Sequence, residues 1–257
     1  MALTNPPQQR TDDERELTFV EHLDELRGTL FKAIIGLILA TIGCAFFIEW
    51  IVQDLLMKPL VKVGLQAQVL TPYGIVMLYF QAALFGGFIL SMPNTLFWLW
   101  DFIRPGLYKH ERRYASFLVF FTALCFFAGV AFAYFILIPF ALNFFSTFGT
   151  DNIQLNVAIN EYVSFLLTLI LGAGLVFELP VITYVLTRFG LITPAFLRKY
   201  RRHAIVVILI VAALITPTPD IFTQAIMAAP LFVLYEVSIF ISAVTLKRKI
   251  KREESEE

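Results

Sequence analysis

RRHAIVVILIVAALITPTPD, residues 201–220, decides the fold, because whether its apolar middle crosses a membrane sets the side on which everything after it lies. The run from Ala204 to Ile215 is only about 12 residues, roughly 18 Å of helix, against a hydrocarbon core of roughly 30 Å. Arg201 and Arg202 precede it, and the Thr-Pro-Thr-Pro stretch 216–219 stops it. Working outward, apolar runs of full membrane length occur at about Gly28 to Ile51, Tyr73 to Trp100, Tyr114 to Phe140, Tyr162 to Leu186 and Ile221 to Leu246. Five spans are therefore expected on length alone. Omitting the short run would split the basic clusters between the two faces. Including it leaves 18 of the 20 Lys and Arg on one side, with only Lys58 and Lys62 opposite. Cytoplasmic loops retain cations, so the expected fold is an all-α integral membrane protein with six transmembrane helices, a short fifth span and both termini cytoplasmic.

Composition agrees with that class. Of 257 residues, 58% are hydrophobic and 16% charged, too oily for a domain with a polar skin. Twenty acids balance twenty bases, which offers no case for a nucleic-acid partner. The segment before the first span is polar and acidic (Asp12, Asp13, Glu14, Glu16), unlike a cleaved secretory signal or an acid-poor transit peptide. A bacterial plasma (inner) membrane fits best. The expected organisation is a tail with an amphipathic lead-in helix over 1–27, a membrane domain over 28–246 and a charged cytoplasmic tail over 247–257. On the lead-in helix Phe19, Leu23, Leu26 and Leu30 share one face, and Glu21, Glu25 and Lys32 lie opposite, presented outward, as for a helix resting at the interface. Trp50, Trp98 and Trp100 sit at expected span ends, where indole favours the headgroup layer.

Signatures of an enzyme are missing: there is no H-E-x-x-H and no glycine-rich phosphate loop. His22, His110 and His203 all fall outside the expected spans with no two at ligand spacing, and Cys44 and Cys125 stand far apart, so neither metal nor cofactor is expected. Intramembrane charge is rarer and more telling. Glu178 lies deep in the fourth span within GAGLVFELP, 172–180, where a charge costs roughly 2.5 to 3.5 kcal/mol even on a lenient scale. Gly174, one turn earlier, is expected to leave room beside the carboxyl, and Pro180 removes a hydrogen bond from the Val176 carbonyl. The result is a polar notch, read either as a structural hydrogen bond to a neighbouring span or as a functional group in a wet cavity. Glu236, nearer the cytoplasmic end of the last span, is expected to pair with a local cation. Glu111 stands alone among cations in FIRPGLYKHERR, 102–113, and is either a solvated charge or part of a site.

Taken in order, HLDELR (22–27), FIRPGLYKHERR (102–113), FELP (177–180), TPTPDIFTQ (216–224) and PLFVLYE (230–236) resemble the TatC family over roughly Phe19 to Val244. The resemblance implies the twin-arginine system, which exports folded proteins using the protonmotive force, with this subunit receiving the signal peptide. A carboxylate accepts a guanidinium fork in bidentate fashion, where lysine offers only a point charge. Glu25 and Glu111 match the family's signal-binding acids, with Phe102 and Leu23 as apolar walls and Arg27 and Lys109 shaping the patch. Glu178 resembles the polar group facing a concave membrane pocket; Pro59, Asp220 and Gln224 match positions in far-side loops or partner contacts. Implied partners are twin-arginine signal peptides, TatA-like and TatB-like single-span subunits on the last two spans, a multimeric complex and the lipid bilayer, which a short fifth span could thin. Thr29 and Thr218 depart from the usual pattern without touching the proposed acids. The rival from another class is a proton-coupled secondary transporter with Glu178 as coupling site, disfavoured because no second copy of its span exists.

Overall fold

The computed structural model describes residues 19–103, 115–147, 156–215 and 221–256. The first long element is α1 (Phe19–Phe46); after Phe47 a single helical run follows, the connecting arm of a helical hairpin, made of α2 (Ile48–Trp50), a π-helical segment (Ile51–Leu56) and α3 (Met57–Lys62), and then strand β1 (Gln66–Gln68). Helix α4 (Gly74–Ile103) returns along α1. Next come α5 (Ala115–Phe132), a second π-helical segment (Ala133–Leu137), α6 (Ile138–Ser146) and β2 (Asn156–Ala158). The chain ends with α7 (Ile159–Val176), α8 (Leu179–Arg188), α9 (Pro194–Lys199), α10 (Arg201–Ile215) and α11 (Ile221–Glu256).

Among the described residues five stretches are long and apolar enough to cross a membrane: Leu23–Phe46, Gly74–Phe102, Leu118–Ser146, Ile159–Arg188 and Gln224–Ile250. They coincide with the five long apolar runs of the sequence. Helix α10, at 15 residues, reaches about 22 Å and is distinguished from the others by length. Large apolar side chains cover the outside, among them Leu39, Phe46, Val76, Phe80, Phe135, Leu214 and Phe240. An apolar exterior on that scale is at odds with water as the solvent and matches a bilayer.

Helix α1 packs on α4, α4 on α5 and α7, α5 on α7, and both α8 and α10 on α11. The main core gathers Val52, Leu56 and Leu60 of the hairpin with Leu166, Leu169 and Ile170 of α7 and Met227 and Leu231 of α11. Glycine allows the tightest crossings. A Cβ at Gly87 would stand 2.5 Å from the Thr41 Cα, and one at Gly129 would stand 2.6 Å from the Ala173 carbonyl oxygen.

Both π-helical segments end just before a proline, Pro59 and Pro139. A proline ring crowds the carbonyl four residues back and removes its donor, and widening the helix there relieves the crowding. Strands β1 and β2 pair in parallel, Ala67 opposite Val157, and join two loops that no alternation in the sequence had marked.

Three expectations change. The lead-in residues from Phe19 belong to α1 itself, which runs uninterrupted to Phe46, so no separate interfacial helix precedes the span within the described residues. Its leucines Leu23, Leu26 and Leu30 face outward, whereas Glu25 is half-buried, the reverse of the outward-facing carboxylate expected. Trp50 is exposed as an interfacial indole should be, but Trp100 is a core residue whose indole N–H donates to the Thr122 hydroxyl at 3.1 Å. That internal acceptor outcompetes the headgroup layer.

Candidate functional site

The register of α1 on α4 is antiparallel. Gly87 lies against Thr41, Gly36 against Asn94, and the Lys32 ammonium sits 4.1 Å above the Trp98 ring. Continued one turn further, this register sets Phe102, at the end of α4, opposite Gly28 and next to Arg27. Phe102 is half-buried; Leu23 and Arg27 are exposed. The Glu25 Oε2 atom is shielded from solvent, and the Arg27 guanidinium lies over the Phe31 ring at 5.7 Å. This end of the pair thus offers one partly dry carboxylate with apolar and cationic neighbours. Lys109, Glu111 and Asp220 lie outside the described residues.

A second polar centre forms where the Ile159–Arg188 stretch breaks. Helix α7 ends at Val176 and α8 starts at Leu179, leaving Phe177 and Glu178 as the joint, with Pro180 in the first turn of α8. The ladder of hydrogen bonds is shortened here: the Glu178 N–H donates to the Leu175 carbonyl, three residues back, at 3.2 Å. Glu178 is 6% exposed, and neither carboxylate oxygen has a hydrogen-bond partner among the described residues. Roughly ten residues, about 15 Å of helix, separate it from the Arg188 end. The expected space beside Gly174 is already filled, since a Cβ there would stand 2.6 Å from the Phe126 ring. Gly174 serves the α5 crossing rather than opening the notch. Around this joint Met92, Leu96, Trp100, Phe126 and Val181 form a second apolar cluster.

The remaining candidates have structural partners. The Gln224 amide donates to the Leu209 carbonyl at 3.0 Å and so joins α11 to α10. Glu236 pairs with Arg201 at 2.6 Å, the local cation anticipated for it, and the neighbouring Tyr235 hydroxyl donates to the Leu197 carbonyl at 2.7 Å. Pro59 is buried in the hairpin. Sequence reasoning missed Tyr134 and Tyr162, whose hydroxyls reach that hairpin; a tyrosine inside an apolar run was the available signal.

The sequence model of the family "Sec-independent protein translocase protein (TatC)" matches residues 21–230. The chain belongs to the TatC family. A TatC protein of Helicobacter pylori is 42% identical over 221 residues, covering 86% of this chain and 85% of that protein. TatCy of Bacillus subtilis is 37% identical over 247 residues, with 92% of each chain covered, and Aquifex aeolicus TatC is 35% identical over 237 residues, covering 91% and 98%. Among solved structures, a crystal structure of the twin-arginine translocase receptor TatC aligns at TM-score 0.79 and 35% identity over 88% of this chain and 99% of that one. A second TatC crystal structure, in DDM, aligns at the same TM-score over 86% and 99%. The TatC fold, as a multi-pass membrane translocase component, accounts for the five long helices and the apolar exterior. TatC is a transport family rather than an enzyme family.

Proposed function

We propose that this chain is the signal-peptide receptor and core membrane subunit of the twin-arginine translocation system, carrying folded proteins across a bacterial plasma membrane on the protonmotive force. The observation that carries the reading is the antiparallel α1–α4 pair, whose register favours a patch of Phe102 with Arg27, on the end of α1 that also carries Leu23 and Glu25. Lys109 and Glu111, eight or so residues beyond Phe102, complete that patch. Exposed ion pairs are worth only about 0.2 to 1 kcal/mol each, so discrimination of arginine needs two carboxylates in a partly dry setting. The shielded Glu25 oxygen supports such a setting.

In this reading α10 is a sixth, short span and both termini are cytoplasmic, supported by the 18 of 20 cations that then share one side. Glu178 faces a concave pocket between spans. TatA-like and TatB-like subunits pack on α10 and α11 near Gln224 and Asp220, in a multimeric complex. The test is binding of a twin-arginine signal peptide to the purified protein in nanodiscs, Arg-Arg against Lys-Lys. Glu25→Ala and Glu111→Ala are each expected to weaken the Arg-Arg peptide about tenfold, the loss of one charge-assisted contact. Binding that ignores both the arginines and the carboxylates refutes the receptor reading and revives a solute transporter coupled through Glu178.

A further inference from the structure

Pro59 has no N–H, so the carbonyl four residues earlier, Leu55, loses the rung an α-helix would give it. Tyr134, in the π-helical segment Ala133–Leu137, donates its hydroxyl to that carbonyl at 3.0 Å. The next rung of a regular helix would join the Leu60 N–H to the Leu56 carbonyl. That rung opens α3, which starts at Met57, and the hydroxyl of Tyr162, from the first turns of α7, adds a second donor to the Leu56 carbonyl at 2.8 Å. Two consecutive carbonyls, Leu55 and Leu56, thus accept from side chains elsewhere in the fold, the first in place of a missing rung and the second beside an intact one.

Burial makes the arrangement binding on the backbone. Leu56 is 2% exposed, Leu60 1% and Tyr162 2%, so water has no access to replace the hydroxyl. We infer that Tyr134, which stands in for the rung missing at Pro59, and Tyr162, which adds a bond beside the next rung, are positioning residues that latch the hairpin after α1 onto the third and fourth long apolar stretches. The parallel pairing of β1 with β2 is a second tie between the same parts of the chain. The two bonds differ in strength: the Tyr162 bond is buried, whereas the Tyr134 bond is open to solvent. Proline and Tyr134 are matched, because a residue with an N–H at position 59 supplies the Leu55 carbonyl by itself.

The test uses the full chain in detergent and follows amide hydrogen exchange by mass spectrometry in peptides spanning 48–65. Tyr162→Phe is expected to speed exchange there about tenfold while peptides from α5 keep the wild-type rate. Tyr134→Phe should give a smaller increase, about threefold, and that increase should vanish when Pro59→Ala is also present. Unchanged exchange over 48–65 in Tyr162→Phe overturns the latch. So does a Tyr134→Phe effect of equal size with and without Pro59→Ala. If Pro59→Ala yields no folded protein, the Tyr162→Phe arm decides alone.

Discussion

Gly129→Ala and Gly43→Ala make the same chemical change in the interior of two apolar helices, and the structure assigns them opposite signs. At Gly43 an added Cβ meets nothing within 4 Å. Only the backbone term remains, and alanine gains about 0.5 to 1 kcal/mol over glycine in a helix. At Gly129 the Cβ would stand 2.6 Å from the Ala173 carbonyl oxygen, 2.9 Å from the Gly174 Cα and 2.9 Å from the Phe177 Cβ. Two of those three atoms are backbone, so no rotamer change relieves them. Restoring ordinary contact at 3.4 Å parts α5 and α7 by roughly 0.8 Å, along a face that also seats Phe126 against Gly174. Overpacking of this kind costs about 1 to 3 kcal/mol, which outweighs the helix-propensity gain. Net of that gain, and at about 2 to 4 °C per kcal/mol for a chain of this size, Gly129→Ala is expected to melt up to about 10 °C below wild type, and Gly43→Ala up to about 4 °C above it. Thermal unfolding in one detergent, read by circular dichroism, measures both. A Gly129→Ala protein as stable as Gly43→Ala would falsify the claim that α5 and α7 touch backbone to backbone beside the Glu178 joint.

Glu178→Leu removes a buried group whose oxygens lack hydrogen bonds among the described residues, so it is expected to raise thermal stability, by about 1 to 3 kcal/mol, while export of a twin-arginine reporter protein is lost. A lower melting temperature, or full export, contradicts that assignment of Glu178 to function at the expense of stability. Thr187 and Ser242 share a buried hydrogen bond of 2.8 Å between α8 and α11. Thr187→Val strands the Ser242 hydroxyl and should cost about 1 to 3 kcal/mol, most of it recovered when Ser242→Ala is added; unfolding of the double variant at the single variant's temperature refutes the pairing.

The long helices were legible because twenty or so consecutive apolar residues have few other fates, and their bounds moved by only a few residues on folding. Hydropathy could not say which way an indole points: Trp50 and Trp100 look alike as span-end residues, yet a hydroxyl on a neighbouring helix captures the second. Nor could it foresee that Phe126 fills the gap at Gly174, a contact between residues 48 apart. The leucines of HLDELR were right as a stripe and wrong in direction. In water an apolar stripe turns inward, while in a bilayer it is free to turn outward, leaving Glu25 on the protein side. Glu178 was found because cost, not pattern, marks a charge in a membrane. The hairpin escaped because its order comes from two tyrosines about 80 and 100 residues downstream, and single-sequence periodicity carries no such range.

That separation orders events in time. The hairpin leaves the ribosome early, but the bond from Tyr162 to Leu56 spans 106 residues, which at about 5 to 20 residues per second takes roughly 5 to 20 s to synthesise. During that interval the tie from Tyr162 to the Leu56 carbonyl is missing. A nascent chain halted before the fourth long apolar stretch therefore displays an unfinished loop, and completion of that stretch is the step that closes it.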